Sequence, residues 1–284
     1  MTAGRGSDPG GVEPSGTAAR RWATRLGAWA VPREILRAAP RPPWFFPPDL
    51  FRAGDAPVPD TPSTGLARAA LPATGGTVLD VGCGGGRAGL ALAPPAVHVT
   101  GVDRDAAMLE GFRDEAARRG VGANDVEGEW PAVADGVPGA DVVVCHHVAY
   151  NVPDLGAFAL ALHAHARRRV VVELRAEHPM VLLRPLWRQF WNVDRPAGPT
   201  ADDALAVLRE VGLPARRVRW QEPPELSRVA GVAFERQVEI TRIRLCLPAD
   251  RDPEVAAALQ AQGAPPPREI VTIWWDPPEG AVGA

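Results

Sequence analysis

Three glycines that follow a short apolar segment are the residues whose spacing is most informative about chemistry in this chain. Gly82, Gly84 and Gly86 come directly after residues 78–81, which the apolar pattern predicts to be a buried β-strand. Glycine tolerates positive φ and has no Cβ, so a glycine turn brings bare backbone close to a ligand. The apolar run 88–93 predicts a short helix whose free N–H groups would face the same ligand. The sequence therefore predicts a strand, a loop and a helix that together bind a small molecule.

The spacing of the glycines distinguishes between two classes of ligand. A dinucleotide fingerprint, G-x-G-x-x-G, counted from Gly82 requires a glycine where the chain has Arg87. The frame Gly84, Gly86, Gly89 matches, but it begins two residues further from the strand and would lengthen the turn. A nicotinamide oxidoreductase is therefore the weaker hypothesis, and a tight structural turn without a ligand is a further alternative.

Residues 78–86 resemble the first motif of the class I S-adenosylmethionine-dependent methyltransferases, which is an apolar strand, an acidic residue (here Asp80) and then G-x-G-x-G. The resemblance implies that the glycine loop passes under the methionine part of S-adenosyl-L-methionine, the expected cofactor. Residues 101–109 resemble the second motif. Asp103 ends a predicted strand over 97–103, and a carboxylate about 20 residues after the loop can accept hydrogen bonds from both ribose hydroxyls. Such an acid can equally serve only as a helix cap.

A third segment, residues 126–131, resembles the motif in which an acid accepts from the adenine amino group. Glu129 is the candidate, with Trp130 as a wall of the adenine site; a solvated Glu and a core Trp are the alternative. Met108 is expected in the core or at the edge of the adenine site. The residues expected to bind the cofactor are Asp80, Gly82, Cys83, Gly84, Gly86, Asp103, Arg104, Met108, Glu129, Trp130 and Cys145.

The candidate catalytic residues follow the fourth predicted strand, 140–145, whose continuous apolar run is typical of a strand buried on both faces. They are His146, His147 and Tyr150, in a loop that the resemblance implies faces the transferred methyl group. If the acceptor is a hydroxyl or ammonium group, a base must remove its proton, and a neutral imidazole is suited to this near neutral pH. Because adjacent residues on extended backbone point to opposite sides, we expect at most one histidine to face the acceptor.

The remaining elements must hold these residues together. Asp105, Asp154 and Thr200 are predicted helix N-caps, with Asp203 completing a capping box at Thr200, and residues 167–169 are predicted to lie at a helix C-terminus, where its dipole favours cations. Further strands are predicted over 170–174, 215–220 and 269–275, and helices over 234–247 and 253–262.

The resemblance implies an α/β fold, a Rossmann-like doubly wound seven-stranded sheet that is mostly parallel with one antiparallel strand. An N-terminal helical cap and a helical insertion before the last strand are added to it.

The expected organisation is a disordered tail (1–19), a helical and extended cap (20–64) and the methyltransferase domain (65–284), with the insertion at about 225–265. Trp22 and Trp29 are expected to pack against the sheet, whereas residues 44–51 are a possible lid. Trp187, Phe190 and Trp191 indicate an apolar acceptor pocket.

Composition limits the function further. A net charge of −3 implies no strong field for nucleic acid, and three widely spaced cysteines argue against a disulfide framework or a CxxC metal site. These cysteines fit a reducing cytoplasm, where we expect the protein, and we expect no metal. No apolar stretch approaches the roughly 20 residues of a membrane span, so none is expected.

The sequence therefore predicts an S-adenosylmethionine-dependent methyltransferase that acts on O, N or C of a small, partly apolar acceptor. An RNA or protein methyltransferase of the same fold and a non-catalytic binding module are the alternatives, and the oligomeric state, monomer or homodimer, is left open.

Overall fold

The computed structural model describes residues 16–44, 60–226 and 231–278. Within them a seven-stranded sheet has the order β3-β2-β1-β4-β5-β7-β6. Its strands are β1 (Gly76–Val81), β2 (Ala96–Asp103), β3 (Gly122–Glu127), β4 (Ala140–His146), β5 (Ala166–Arg175), β6 (Arg216–Gln221) and β7 (Glu269–Trp275). β7 pairs antiparallel with both β5 and β6, and the other pairs are parallel. The predicted mostly parallel sheet with one antiparallel strand is confirmed.

Nine α-helices lie in the described part of the chain. They are α1 (Thr17–Gly27), α2 (Arg33–Ala38), α3 (Pro62–Ala70), α4 (Ala106–Arg119), α5 (Leu155–His165), α6 (Arg184–Trp191), α7 (Ala201–Glu210), α8 (Phe234–Arg244) and α9 (Asp252–Gln262). The predicted caps are confirmed: Asp105 and Asp154 accept from backbone N–H groups of α4 and α5, and Thr200 and Asp203 form the capping box of α7.

Apolar side chains alternate between the two faces of the central strands. Leu79 and Val143 belong to the core beneath α1, α5 and α7, whereas Val78, Val142 and Val144 face α3 and α4. This two-residue period, with both faces covered by helices, is what keeps the central strands buried on both sides. A third apolar cluster joins α2, α6, α8 and α9.

Two local predictions were wrong. The apolar run after the glycines forms only a 3₁₀ turn, Leu90–Leu92, because Pro94 and Pro95 have no N–H group with which to continue a helix. Residues 167–169 lie in β5 rather than at a helix C-terminus, since α5 ends at His165 and β5 begins immediately afterwards. There Arg169 pairs with Asp276 at 2.6 Å.

The N-terminal segment packs against the domain. Trp22 and Trp29 are buried, and their indole N–H groups donate to the carbonyls of Val152 (2.8 Å) and Gly198 (2.7 Å). Packing is confirmed for both side chains, but α1 packs mainly on α7 and α5, not directly on the sheet. Because α1 begins at Thr17 with Gly16 at its N-cap, three residues of the predicted tail are helical; residues 1–15 lie outside the described residues.

No helix in these three ranges is both long and apolar enough to cross a bilayer. The three cysteines are free and buried, and the described residues contain no cluster of His, Cys, Asp and Glu suited to a metal ion.

Candidate functional site

A cavity of about 930 Å³ lies at the carboxyl ends of the parallel strands. In open α/β sheets this is where ligands bind, and the volume is near the upper end of the roughly 300 to 1,000 Å³ of small-molecule sites. Eight of the predicted cofactor residues line it, namely Gly82, Cys83, Gly84, Asp103, Arg104, Met108, Glu129 and Trp130, and so do both candidate histidines, His146 and His147.

The glycine loop has a backbone that only glycine adopts readily. Gly82, Gly84 and Gly86 have φ values of 72°, 51° and 83°, all in the left-handed region. A Cβ at Gly82 would lie 2.3 Å from Val148 Cγ2, so a side chain there would displace the loop that follows β4. The N–H group of Gly82 donates to the carbonyl of Val102 at 2.8 Å, which ties the loop to the end of β2.

Asp103 connects this loop to the second strand. Its Oδ2 accepts from the N–H of Gly84 at 2.8 Å, and its Oδ1 accepts from the N–H of Asp105 at 3.0 Å. Each carboxylate oxygen has two lone pairs, so the group retains acceptor capacity toward the cavity that it lines. The carboxylate of the second motif is therefore held by a hydrogen bond from the glycine loop of the first motif.

Asp80 lies behind the loop and not on the cavity wall. Its side chain is fully buried, and Oδ2 accepts from the N–H of Gly89 at 2.7 Å. Burial raises its pKa to about 7; the hydrogen bond from Gly89 opposes that rise and the charge of Asp103 adds to it. Asp80 therefore positions the loop instead of touching a ligand in the cavity. Gly86 and Cys145, also predicted to bind the cofactor, do not line the cavity either.

Met108, Glu129 and Trp130 also line the cavity. Met108 and Trp130 are nearly buried at the same time, so core packing and contact with a ligand are compatible. The Trp130 ring meets the His165 ring edge-on, with centroids 4.8 Å apart, and this contact fixes the indole plane.

His146 and His147 both turn toward Glu173 in β5. Its Oε1 lies 3.0 Å from His147 Nε2 and 3.8 Å from His146 Nδ1. We expected at most one histidine to face the acceptor because adjacent extended residues alternate, but both line the cavity: His147 has φ 63° and leaves the extended conformation. The N–H of His147 donates to the carbonyl of Glu173 at 2.7 Å, which holds this strained backbone.

Glu173 was not predicted as a site residue. Its burial would raise its pKa, but the charges of His146 and His147 and a hydrogen bond from His147 outweigh burial and hold that pKa well below its usual range. The carboxylate is therefore ionised near neutral pH. The signal in the sequence was an acid inside the apolar run 170–174, where a charge needs a partner.

The position of Tyr150 does not support a role as a base. Its hydroxyl donates to the carbonyl of Arg175 at 2.8 Å, its ring stacks on Trp22 with centroids 5.6 Å apart, and it does not line the cavity. Burial raises the pKa of the hydroxyl, so it keeps its proton.

The far end of the cavity is lined by residues that the sequence pattern did not indicate. They are Arg175, Trp220, Glu222, Arg244, Arg268 and Ile270. The predicted aromatic group is elsewhere: Trp187 is buried in the third apolar cluster, with Phe190 and Trp191 packed against it. Of the predicted lid, Trp44 lines the cavity and is 48% exposed, and residues 45–51 lie outside the described residues.

Comparison with known proteins gives three sequence findings. Residues 78–169 match a family model described as a methyltransferase domain. The chain is 42% identical to the ubiquinone biosynthesis O-methyltransferase of Pectobacterium carotovorum subsp. carotovorum over 81 residues, which are 28% of this chain and 34% of that protein. It is 33% identical to the ribosomal protein L11 methyltransferase of Aeromonas hydrophila over 132 residues, which are 46% and 43% of the two chains. The chain thus matches about a third to two fifths of the length of these relatives.

Two solved structures are similar in fold. The YcgJ protein of Bacillus subtilis has a TM-score of 0.52 at 18% identity over 77% of this chain and 99% of its own. A methyltransferase from Geobacter sulfurreducens in complex with S-adenosyl-L-homocysteine has a TM-score of 0.50 at 16% identity over 80% and 95% of the two chains.

Proposed function

Since residues 78–169 are a methyltransferase domain of the class I S-adenosylmethionine-dependent type, we propose that this protein transfers a methyl group to a nucleophilic O or N atom of a small acceptor. The observation that carries the proposal is the pairing of two features in one cavity. Asp103 and the glycine loop form one wall, and His146, His147 and Glu173 approach the same space from β4 and β5.

The residues present fit the cofactor. The Asp103 carboxylate, anchored by the N–H groups of Gly84 and Asp105, has acceptor capacity for ribose hydroxyls, and Gly82 and Gly84 present backbone without side chains. Glu129 and Trp130 offer an acceptor and an apolar ring surface for a base. When bound, S-adenosyl-L-methionine supplies an activated methyl group on a sulfonium.

The protein's contribution is orientation and proton removal. The acceptor atom must lie about 3 to 3.5 Å from the methyl carbon, in line with the bond that breaks. If that atom carries a proton, His147 or His146 accepts it, and the ionised Glu173 beside both rings stabilises the imidazolium that forms. Glu173 is therefore proposed as a positioning residue that holds both imidazoles at the cavity wall.

The relative from Aeromonas hydrophila favours a second candidate, a protein acceptor. The cavity volume of about 930 Å³ is in the range of small-molecule sites, and we therefore retain a free small molecule as the main proposal.

Binding of the cofactor tests the proposal. S-adenosyl-L-homocysteine at 100 times its dissociation constant should raise the free energy of unfolding by about 2.7 kcal/mol, whereas NAD at equal concentration should leave it unchanged. Stabilisation by NAD alone would replace the proposal with the oxidoreductase hypothesis.

Replacing Glu173 by Gln tests the positioning role. The acceptor would come from a panel of small phenols and amines. At neutral pH we expect kcat to fall about 100-fold, because a neutral amide does not stabilise an imidazolium. At alkaline pH kcat should fall less, since an acceptor that has already lost its proton needs no base. The affinity for S-adenosyl-L-homocysteine should stay within a factor of about two. A kcat and pH profile equal to those of the wild type would remove Glu173 from the mechanism.

A further inference from the structure

The sheet register brings three residues side by side at the far end of the cavity. Arg175 in β5 lies opposite Ile270 in β7, and Ile270 lies opposite Trp220 in β6. Directly opposed residues of antiparallel strands project from the same face of a sheet. Two residues earlier in β5, Glu173 is on that face as well, roughly 7 Å along the strand.

The same face continues beyond the strands. Arg268 is two residues before Ile270, and the N–H of Glu222 donates to the Arg268 carbonyl at 2.8 Å, which extends the ladder by one more pair. The side chains of Arg268 and Glu222 form an ion pair at 3.3 Å. Both residues line the cavity.

A third arginine comes from the helical insertion. Arg244 is the last residue of α8 and lines the cavity with Arg175 and Arg268. Burial lowers the pKa of Arg175 and of Arg244, and the charge of Arg268 lowers both further. The three guanidinium groups therefore share one partly buried region.

Acidic residues lie near this region but do not contact two of its arginines: the charges of Glu222 and Glu177 raise the pKa of Arg175 without a bond to its guanidinium group. Within residues 16–44, 60–226 and 231–278, the guanidinium groups of Arg175 and Arg244 form neither a salt bridge nor a hydrogen bond, and Glu222 is paired with Arg268. Partly desolvated, unpaired cations are costly unless a ligand supplies the opposite charge. The planar guanidinium fork matches the oxygens of a carboxylate or a phosphate.

We propose that the acceptor carries an anionic group, a carboxylate or a phosphate, which Arg175, Arg244 and Arg268 bind at the far end of the cavity. Trp220 and Ile270 contact the apolar body of the acceptor, and its nucleophilic atom faces His146 and His147. This inference rests on the proposed methyl transfer, and it specifies the chemical class of the acceptor.

The test is a binding experiment with matched acidic and neutral probes. Benzoate, phenyl phosphate and the neutral benzamide are titrated by calorimetry into the full-length protein saturated with S-adenosyl-L-homocysteine. We expect one or both acids to bind and benzamide to bind at least tenfold more weakly, because the amide lacks the charge that the arginines complement. A preference for benzoate or for phenyl phosphate identifies the anionic group.

Variants assign the binding to these arginines. R244Q and R268Q should each weaken binding of the preferred acid about tenfold or more, and R244K should weaken it less, because it keeps the charge but loses the fork. R236Q is the matched control: it lies in the same helix and pairs with Glu239 away from the cavity, so it should leave binding unchanged. Circular dichroism checks that each variant is folded.

Three results would overturn the inference: no binding of either acid, equal binding of benzamide, or equal losses in R244Q and R236Q. The proposed function fails separately, since it requires S-adenosyl-L-homocysteine to bind whatever the probes do. Anion binding without binding of S-adenosyl-L-homocysteine would leave an anion site on a protein that is not a methyltransferase.

Discussion

The two ends of the cavity are built in different ways. At the cofactor end, the loop after β1 contributes backbone groups, and Asp103, the last residue of the neighbouring β2, contributes a carboxylate. At the far end, side chains from β5, β6, β7 and α8 converge although Arg175 and Arg268 are separated by most of the second half of the sequence. The first end depends on local backbone conformation and the second on long-range packing. Mutations should therefore affect the two ends separately.

The largest change in stability without a change in cofactor affinity is expected from W187A. Trp187 is 2% exposed in the apolar cluster that holds α8 in place, so its truncation should lower the free energy of unfolding by about 3 to 5 kcal/mol. No residue of that cluster lines the cavity, and the affinity for S-adenosyl-L-homocysteine should change less than about twofold. Urea unfolding and calorimetry measure the two quantities. L36A, at a residue that is 40% exposed, is the control and should cost under about 0.5 kcal/mol. If W187A lost as much free energy of binding S-adenosyl-L-homocysteine as free energy of unfolding, the two ends of the cavity would be coupled.

The opposite result, a loss of cofactor affinity, is expected from G82A. The new methyl group would meet Val148 at 2.3 Å and the backbone would be strained at φ 72°, so affinity for S-adenosyl-L-homocysteine should fall at least about 100-fold, or about 2.7 kcal/mol. G120A is the matched control, since Gly120 has φ 63° but nothing within 4 Å of the added Cβ. It should cost about 1 kcal/mol of stability and leave affinity unchanged. Similar affinities for the two variants would contradict the role assigned to the loop.

Asp80 adds a pH dependence to the cofactor end. Its pKa is raised in the folded state, from 3.8 to about 7, so the folded protein binds the proton more tightly than the unfolded chain does. The stability that protonation of Asp80 contributes is therefore fully present below the unfolded pKa of 3.8 and is lost as the pH rises toward the folded pKa of about 7. Between pH 5 and 7 the wild type should lose about 2 kcal/mol that D80N does not lose. Parallel stability curves for the two proteins, measured by urea unfolding at each pH, would contradict this.

The smallest effect is expected from D103N. An amide still accepts a hydrogen bond from the N–H of Gly84, but it is a weaker acceptor for hydroxyl groups than a carboxylate. Affinity for S-adenosyl-L-homocysteine should fall about tenfold, or about 1.4 kcal/mol, by calorimetry. D154N changes a helix N-cap outside the cavity and should have no effect on affinity. Undiminished binding by D103N would remove Asp103 from the proposed cofactor site.

The same contrast explains how much could be predicted from the sequence. The glycine loop, Asp103 and the caps at Asp105 and Asp154 were predictable because each depends on a few consecutive residues. The convergence of Arg175, Arg244 and Arg268 was not, since no local pattern reports which segments a sheet register and a helical insertion bring together.

His147 illustrates a third case. An alternating strand pattern did not predict its orientation. The left-handed backbone of His147, just after β4, turns its ring to Glu173, the carboxylate that His146 also approaches. Tyr150 and Trp187 are buried and do not line the cavity, because an aromatic residue near a strand end is as suited to the core as to a binding site.

The insertion that supplies Arg244 has an evolutionary consequence. It connects β6 to β7, antiparallel neighbours that a short hairpin turn could join, so its helices are dispensable to the sheet itself. Exchange of this one segment between homologous genes could alter substrate preference while the apparatus for the methyl donor is inherited intact.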